Sequence, residues 1–249
     1  MLKVICVKLG TLFQPYYVNN LYTMCKKHIQ TPFEFFCYTD NPTNLHSDIR
    51  IVNYIDHDLT TITHNKLFLF SKQFDQMIGP GPRMFFDLDM VIKSDITFLS
   101  NINHKNAVTV INVIWRNVTN KYTLHNLNSS CITWLPGQPA VHAIWDQFIS
   151  NVDYNSIKYN QGMDVYLHRV WESRGAVKTF PLGIFHSFLY GVDRRLHKKV
   201  QNKRKLLAPL LGIFPVLILN GLTTDQEYLD CFKYYSDSMS MIMSSHSPL

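Results

Sequence analysis

The stretch Phe85-Phe86-Asp87-Leu88-Asp89-Met90 places two acids inside an otherwise apolar run. An apolar strand seldom carries acids, because burying an unpaired carboxylate is costly. Successive strand residues point to opposite faces, so a strand over 84–92 would project Asp87 and Asp89 to the same side. Two carboxylates in this arrangement suit Mg²⁺ or Mn²⁺, which prefer oxygen ligands, water and substrate phosphates. We therefore predict a metal site at these acids that handles a phosphate-bearing substrate; the alternative is a strand-end turn whose acids cap a helix.

Outward from this stretch, strand and helix patterns alternate along the chain. The predicted strands are Val4–Val7, Phe33–Tyr38, Ile49–Val52, Met84–Ile92, Val108–Ile111, Ser130–Trp134 and Phe214–Leu219. The predicted helices are Tyr16–Ile29, Lys66–Phe74, Ala140–Ile149 and Met163–Trp171. This order indicates an α/β fold, a single Rossmann-like domain with a mainly parallel central sheet flanked by helices. We assign residues 1–235 to that domain and the Ser- and Met-rich residues 236–249 to a flexible tail.

The composition is that of a globular protein with anionic partners. Of the 249 residues, 46% are apolar and 17% are charged, which excludes general disorder. The formal charge of +6 favours nucleotides, acidic glycans, nucleic acid or a phospholipid surface and selects none of them. The five cysteines form no Cys-x-x-Cys pair, so we expect neither a disulfide framework nor a zinc ribbon. A reducing, cytoplasmic location follows, because the first ten residues also resemble a strand more than a signal peptide.

An apolar segment at Leu206–Leu219 follows a basic run at 194–205. Its length is too short to span a bilayer, and Pro209 and Pro215 interrupt it, so we predict a core element ending in a strand. The alternative is a peripheral membrane contact through the basic run. The same run, together with Trp115–Tyr122, is the expected acceptor surface.

The stretch around Asp87 and Asp89 resembles the Asp-x-Asp motif of nucleotide-sugar glycosyltransferases with the A-type fold. From Lys3 to about Gly221 the order of elements resembles the glycogenin and family-eight set. Similar segments are Lys8-Leu9-Gly10-Thr11, Tyr16-Tyr17-Val18-Asn19-Asn20-Leu21, Asn65-Lys66-Leu67, Leu127-Asn128-Ser129-Ser130 and Asn160-Gln161-Gly162-Met163-Asp164. The resemblance implies a metal-dependent hexosyltransferase that uses Mn²⁺ or Mg²⁺ and a UDP-sugar, with glucose or galactose as the sugar. The acceptor stays open among glycans, lipid-linked sugars and proteins; a homodimer is compatible with the family, and specific nucleic-acid binding is not expected.

The resemblance also implies roles for individual residues. Asp89 would ligate the metal directly, while Asp87 would reach the metal or the nucleotide ribose. Lys66, Gln161 and Asp164 are the catalytic candidates, the first at the sugar or a phosphate and the other two near the anomeric carbon. The remaining nucleotide- and sugar-binding candidates are Val7, Lys8, Tyr17, Leu88, Asn128, Asn160 and Gly221.

Two positions depart from the family pattern. Asn160 stands where the family has an aspartate, and Asn220 stands where a His-Gly pair supplies the third metal ligand. An amide oxygen can ligate a hard cation, so we assign the third ligand to Asn220. His186 is either a substitute ligand or a histidine with no special role.

Two other functions remain open at this point. A haloacid-dehalogenase-like phosphatase would use Asp87 as its nucleophile, but Met90-Val91 replaces the usual Gly-Thr, and the motif lies far inside the chain. A weakly active glycan- or nucleotide-binding relative is the other alternative. It is favoured by Asn160 and Asn220, which replace charged or imidazole groups.

Overall fold

The computed structural model describes residues 1–59, 62–113, 125–187 and 214–219, together with residues 226, 228, 229 and 233. The strands of this part of the chain are β1 (Leu2–Lys8), β2 (Phe33–Thr39), β3 (Arg50–Asn53), β4 (Arg83–Phe86), β5 (Met90–Ile92), β6 (Val108–Asn112), β7 (Leu127–Trp134), β8 (Val177–Thr179), β9 (Phe185–Ser187) and β10 (Val216–Ile218). The α-helices are α1 (Pro15–His28), α2 (Ile62–Asn65), α3 (Lys72–Ile78), α4 (Pro139–Ile149), α5 (Val152–Lys158) and α6 (Met163–Tyr166). Shorter 3₁₀ segments cover Lys66–Phe70 and Thr97–Asn101, and a π-helical segment covers Leu167–Glu172.

A seven-stranded sheet forms the centre of the fold, in the order β3-β2-β1-β4-β7-β6-β8. Only β7 runs against its neighbours β4 and β6; β1 pairs in parallel with β2 and β4, β2 with β3, and β6 with β8. The predicted α/β fold with a mainly parallel sheet is therefore confirmed. A second sheet, of three strands in the order β5-β10-β9, lies beside it.

Strand β1 shows how the sheet separates two cores, because its residues alternate between them. Val4 and Cys6 belong to the cluster that contains the buried face of α1. Ile5 and Val7 belong to the cluster that contains α4 and the 3₁₀ segment 66–70. All seven residues of β1 are buried, as expected for a central strand covered on both faces.

The predicted single strand Met84–Ile92 is wrong in one respect that matters for function. It divides into β4 of the large sheet and β5 of the small sheet, and Asp87, Leu88 and Asp89 form the irregular crossing between them. The strand divides because its backbone hydrogen bonds change from β7 to the segment that contains β10. The Asp87 N–H donates to the Ser130 carbonyl of β7 at 2.7 Å, and two residues later the Leu219 N–H donates to the Asp89 carbonyl at 2.7 Å.

Other boundaries differ from the predictions for local reasons. The predicted helix Lys66–Phe74 is a 3₁₀ segment that stops at Ser71, whose hydroxyl accepts from the Phe74 N–H at 2.9 Å and begins α3. The predicted helix Met163–Trp171 changes from α to π geometry after Tyr166. Helices α2 and α5 and strands β8 and β9 were not predicted.

Several predictions concern residues outside the described ranges. These are the acceptor stretch Trp115–Tyr122, the basic run 194–205, most of the apolar segment that follows it, and the tail 236–249. Within the described ranges, no helix combines the length and apolar character needed to cross a membrane.

Candidate functional site

The crossing between β4 and β5 lies at the carboxyl edge of the parallel strands β1, β2 and β4. Open α/β sheets bind ligands at this edge, in the crevice beyond the strand ends. The crossing places Asp87 and Asp89 there, while the side chain of Leu88 is buried in the core. Of the predicted nucleotide-binding residues, Leu88 can therefore contact a ligand only through its backbone.

Lys66 supplies the positive charge of the site. Its Nζ lies 2.5 Å from Oδ1 of Asp87, and 5.5 Å from the ring centroid of Phe85. The Lys66 and Asp87 side chains are only 13% and 21% exposed, so the ion pair is mostly shielded from water. Burial alone would lower the pKa of Lys66, but the carboxylates of Asp87, Asp164 and Asp89 together raise it above its ordinary value.

The negative charge of Asp89 is destabilised by its surroundings in this arrangement. Burial, and secondly the neighbouring Asp87 carboxylate, raise the pKa of Asp89 to about 7, although Lys66 partly offsets them. Two like charges held close together with one ammonium group leave an excess of negative charge. A divalent cation would neutralise that excess, and Mg²⁺ typically binds through one or two carboxylates together with substrate phosphates. The donor set therefore fits the predicted Mn²⁺ or Mg²⁺ ion.

The first residues of β7 fix the acids from the other side. The Ser129 N–H donates to Oδ1 of Asp164 at 2.9 Å, which joins α6 to β7, and the Ser130 carbonyl holds the Asp87 N–H. Asn128 is buried, and its Oδ1 accepts from the Ser130 N–H at 3.0 Å. The structure thus brings together Asp87, Asp89, Asp164 and Lys66, which the sequence places up to 98 positions apart.

The predicted pair Asn160 and Gln161 lies on an exposed turn between α5 and α6. This turn is fixed next to α2, the helix that leads directly into Lys66. Gly162 adopts a φ of +104°, and a Cβ there would lie 3.0 Å from the Thr63 hydroxyl. Only a glycine allows this close approach without strain. The turn therefore packs against α2, directly before Lys66.

The predicted base-binding residues lie around the end of β1. Val7 and Lys8 are buried and pair with Tyr38 and Thr39 of β2. Just beyond β1, the Gly10 N–H donates to Oδ2 of Asp40 at 2.8 Å, which ties the ends of β1 and β2 together.

An aromatic stack that the sequence did not predict lies beside this edge. Tyr17 of α1 stacks on Tyr16 with ring centroids 4.8 Å apart, and the Tyr228 ring lies 4.0 Å from that of Tyr17. Burial is the main cause that raises the pKa of Tyr228, and the nearby charge of Asp89 raises it further. Nothing in the local pattern around Tyr228 indicates a role, because its partners lie about 140 to 210 positions earlier.

The predicted third metal ligand follows the last residue of the described segment 214–219. Asn220, like the predicted binding residue Gly221, lies outside the described residues, although its neighbour Leu219 contacts Asp89 through the backbone. His186 lies on β9, where its Nδ1 is 2.9 Å from the Ser187 carbonyl oxygen and its ring packs on Phe214. Within the described ranges, no three His, Cys, Asp or Glu side chains form a group that could hold a metal.

Several solved structures of glycosyltransferases have a similar arrangement of elements. An active-site mutant of LgtC aligns with a TM-score of 0.62 at 11% identity, covering 95% of each chain. The fold is that of the A-type glycosyltransferases. GlyE of Streptococcus pneumoniae TIGR4 aligns with a TM-score of 0.60 at 10% identity, covering 94% of this chain but only 60% of GlyE. A glycosyltransferase involved in glycosylation of the major capsid of PBCV-1 gives 0.58 at 8% identity, covering 94% and 98%.

The similarity between this chain and known proteins lies in the A-type fold and not in the sequence. No protein-family model matches the chain, and no curated protein matches it. LgtC has also been solved as a galactosyltransferase in complex with donor and acceptor sugar analogues, and that structure aligns with a TM-score of 0.56 at 10% identity. At such identities the alignments establish the fold, while the chemistry of this chain depends on its own side chains.

Proposed function

We propose that this protein is a metal-dependent glycosyltransferase that transfers a hexose from a nucleotide sugar, a UDP-sugar, to a sugar-bearing acceptor. The observation that carries the proposal is the cluster of Asp87, Asp89, Asp164 and Lys66 at the carboxyl edge of an A-type sheet. In this cluster Asp87 and Asp89 would bind a divalent cation while Lys66 binds a diphosphate, the combination that a sugar nucleotide requires. The complex of LgtC with donor and acceptor sugar analogues supports the same substrate classes.

Asp87 and Asp89 would hold Mn²⁺ or Mg²⁺, and Asn220 would complete the ligand set. When bound, the ion supplies positive charge that stabilises the departing nucleoside diphosphate. Lys66 adds a second positive charge at a phosphate oxygen, in a site from which water is largely excluded. The hydrogen bond from the Ser129 N–H fixes Asp164 close to Lys66, where its carboxylate would bind a sugar hydroxyl.

The remaining candidates would bind the nucleotide and the donor sugar. Val7, Lys8 and Tyr17 border the base at the end of β1, and the Leu88 backbone faces the ribose. Asn128, Asn160 and Gln161 lie on the side of β7 and α6, where the sugar would extend, and Gly221 follows the metal ligand Asn220. A screen of nucleotide sugars and acceptors would identify the hexose and the acceptor.

Thermal shift with UDP and Mn²⁺ tests the proposal. We expect the two together to raise the Tm of the wild type and neither alone to do so. Asp89→Ala should abolish the shift, while Asp146→Ala, at an exposed position of α4, should retain it. Unchanged Mn²⁺-dependent UDP affinity in Asp89→Ala would refute the metal assignment.

Hydrolysis of a panel of nucleotide sugars then separates the proposal from its alternatives. Release of free sugar from a UDP-hexose supports the transferase. Turnover of simple phosphoesters that disappears in Asp87→Asn would instead support the phosphatase. Nucleotide-sugar binding without release to water or to any acceptor would support a binding protein.

A further inference from the structure

Lys66 forms an ion pair with one oxygen of Asp87, a carboxylate that is also assigned to the metal. Its Nζ lies 2.5 Å from Oδ1 of Asp87, and both side chains are largely buried. Asp164 and Asp89 add attractive electrostatic interactions with the same ammonium group. A shielded ion pair of this kind is coupled more strongly than a surface pair, so a cation that needs Asp87 must compete with Lys66.

A divalent cation on Asp87 and Asp89 cannot share this carboxylate with an ammonium group at no cost, since the two positive charges would lie within a few ångströms of each other. Lys66 therefore has to move when the metal binds. Its backbone is fixed, because Leu67 is fully buried and the Asn65 side chain accepts a hydrogen bond from the Tyr54 hydroxyl at 3.1 Å. The four-carbon side chain, in contrast, can rotate and carry its charge to another acceptor.

A diphosphate offers that acceptor, because a lysine ammonium pairs with phosphate oxygens as readily as with a carboxylate. We propose that Lys66 is a placeholder for the metal: its ion pair with Asp87 opposes binding of a free divalent cation, and a nucleoside diphosphate removes this opposition by attracting the ammonium group. Metal and nucleotide would then bind as a pair. This inference rests on the proposed function, because it requires both ligands to use this site.

The placeholder role of Lys66 predicts that the binding of metal and the binding of UDP are coupled, and this coupling can be measured without turnover. If the diphosphate releases Asp87, UDP raises the affinity for metal, and by thermodynamic reciprocity metal raises the affinity for UDP by the same factor. Removal of the Lys66 charge should strengthen binding of the metal alone and weaken binding of UDP alone. The contact between Lys66 and the diphosphate is lost from the ternary complex as well, so the second change cancels and the tighter binding of metal alone reduces the coupling factor.

Mn²⁺ titrations of the whole chain, followed by electron paramagnetic resonance of the free ion, test this with and without saturating UDP. In Lys66→Met we expect Mn²⁺ alone to bind at least about fivefold more tightly than in the wild type, and the enhancement by UDP to fall by a similar factor, the low end of typical coupling. Lys66→Arg, which keeps the charge, should restore weak binding of Mn²⁺ alone. Lys72→Met, at an exposed position on α3, is the matched control and should behave like the wild type.

The outcomes separate the two proposals. The placeholder is wrong if the wild type shows UDP-dependent Mn²⁺ binding but Lys66→Met binds Mn²⁺ alone no more tightly. A wild type that binds no Mn²⁺ even with UDP overturns the proposed function and the placeholder together. Lys66→Gln provides a second neutral variant, and the Tm of each variant establishes that it is folded.

Discussion

Replacement of Asp89 by asparagine should stabilise the metal-free protein above neutral pH while it abolishes metal binding. The pKa of Asp89 is raised from 3.8 to about 7, by burial first and by Asp87 second. The folded state therefore binds this proton more tightly than the unfolded state does. As the pH rises from about 4 to about 7, the wild type loses the corresponding stability, and above pH 7 the loss is complete. Asparagine resembles the protonated acid and does not titrate, so Asp89→Asn avoids this loss.

The size of the effect follows from the shift. A difference of about three pKa units at about 1.4 kcal/mol per unit gives an upper limit of about 4 kcal/mol. Since the shift depends on Asp87 and Lys66, which relax when the neighbouring charge is removed, we expect a gain of about 2 to 4 kcal/mol at pH 8 and almost none at pH 4.

Urea unfolding of both proteins in the presence of a chelator, from pH 4 to pH 8, measures this difference. Asp146→Asn, on the exposed face of α4, is the control for the replacement of an aspartate by asparagine. A variant that is less stable than the wild type at pH 8 would contradict the reasoning. So would a stability difference that is the same at both ends of the pH range. The same variant should show no Tm shift with UDP and Mn²⁺, so stability and function should change in opposite directions.

Three further substitutions test other parts of the structure. Asp75→Ala should lower the free energy of unfolding in urea by about 3 to 5 kcal/mol. In the wild type the fully buried guanidinium of Arg83 lies 3.1 Å from Oδ1 of Asp75, and the substitution removes this counter-charge. A loss below about 1 kcal/mol would contradict this expectation. Gly162→Ala should cost about 1 to 2 kcal/mol in the same assay, since it combines a positive φ with a close approach to Thr63; a neutral effect would show that the turn relaxes freely. Asp164→Ala should lower kcat/KM for UDP-sugar hydrolysis by about 100-fold with little change in the Kd of UDP. A parallel loss of UDP affinity would show that this residue binds the nucleotide instead.

The sequence predicted those features of the fold that depend on local pattern. Apolar runs broken by turns gave the parallel sheet, and α1 was placed to within one residue at each end. Two acids in an apolar run indicated the candidate site, because only a ligand or an ion pair compensates such a burial. The resemblance then brought in Lys66 and Asp164, and the structure places Lys66 in electrostatic contact with Asp164 as well as with Asp87 and Asp89.

What the sequence could not predict depends on contacts between distant segments. The run over 84–92 has the composition of one strand, and only the change of partner from β7 to β10 divides it at Asp87. The two acids do meet, but in an irregular crossing and not through the alternation of a regular strand. Tyr228 reaches Tyr17 across more than 200 positions, a contact that no local spacing encodes.

The crossing also explains how the protein holds like charges together. Two backbone hydrogen bonds fix the crossing: the Asp87 N–H donates to the Ser130 carbonyl, and the Leu219 N–H donates to the Asp89 carbonyl. These bonds do not depend on the state of the carboxylates, so the sheets can hold the acids close together before any cation arrives. Substitutions of the acids should therefore relieve repulsion, whereas changes that disturb these backbone bonds should lower stability and weaken ligand binding together. Under the proposed function, a metal on Asp87 and Asp89 would relieve the repulsion between them, and Lys66 would set how much of that repulsion remains for the metal to relieve.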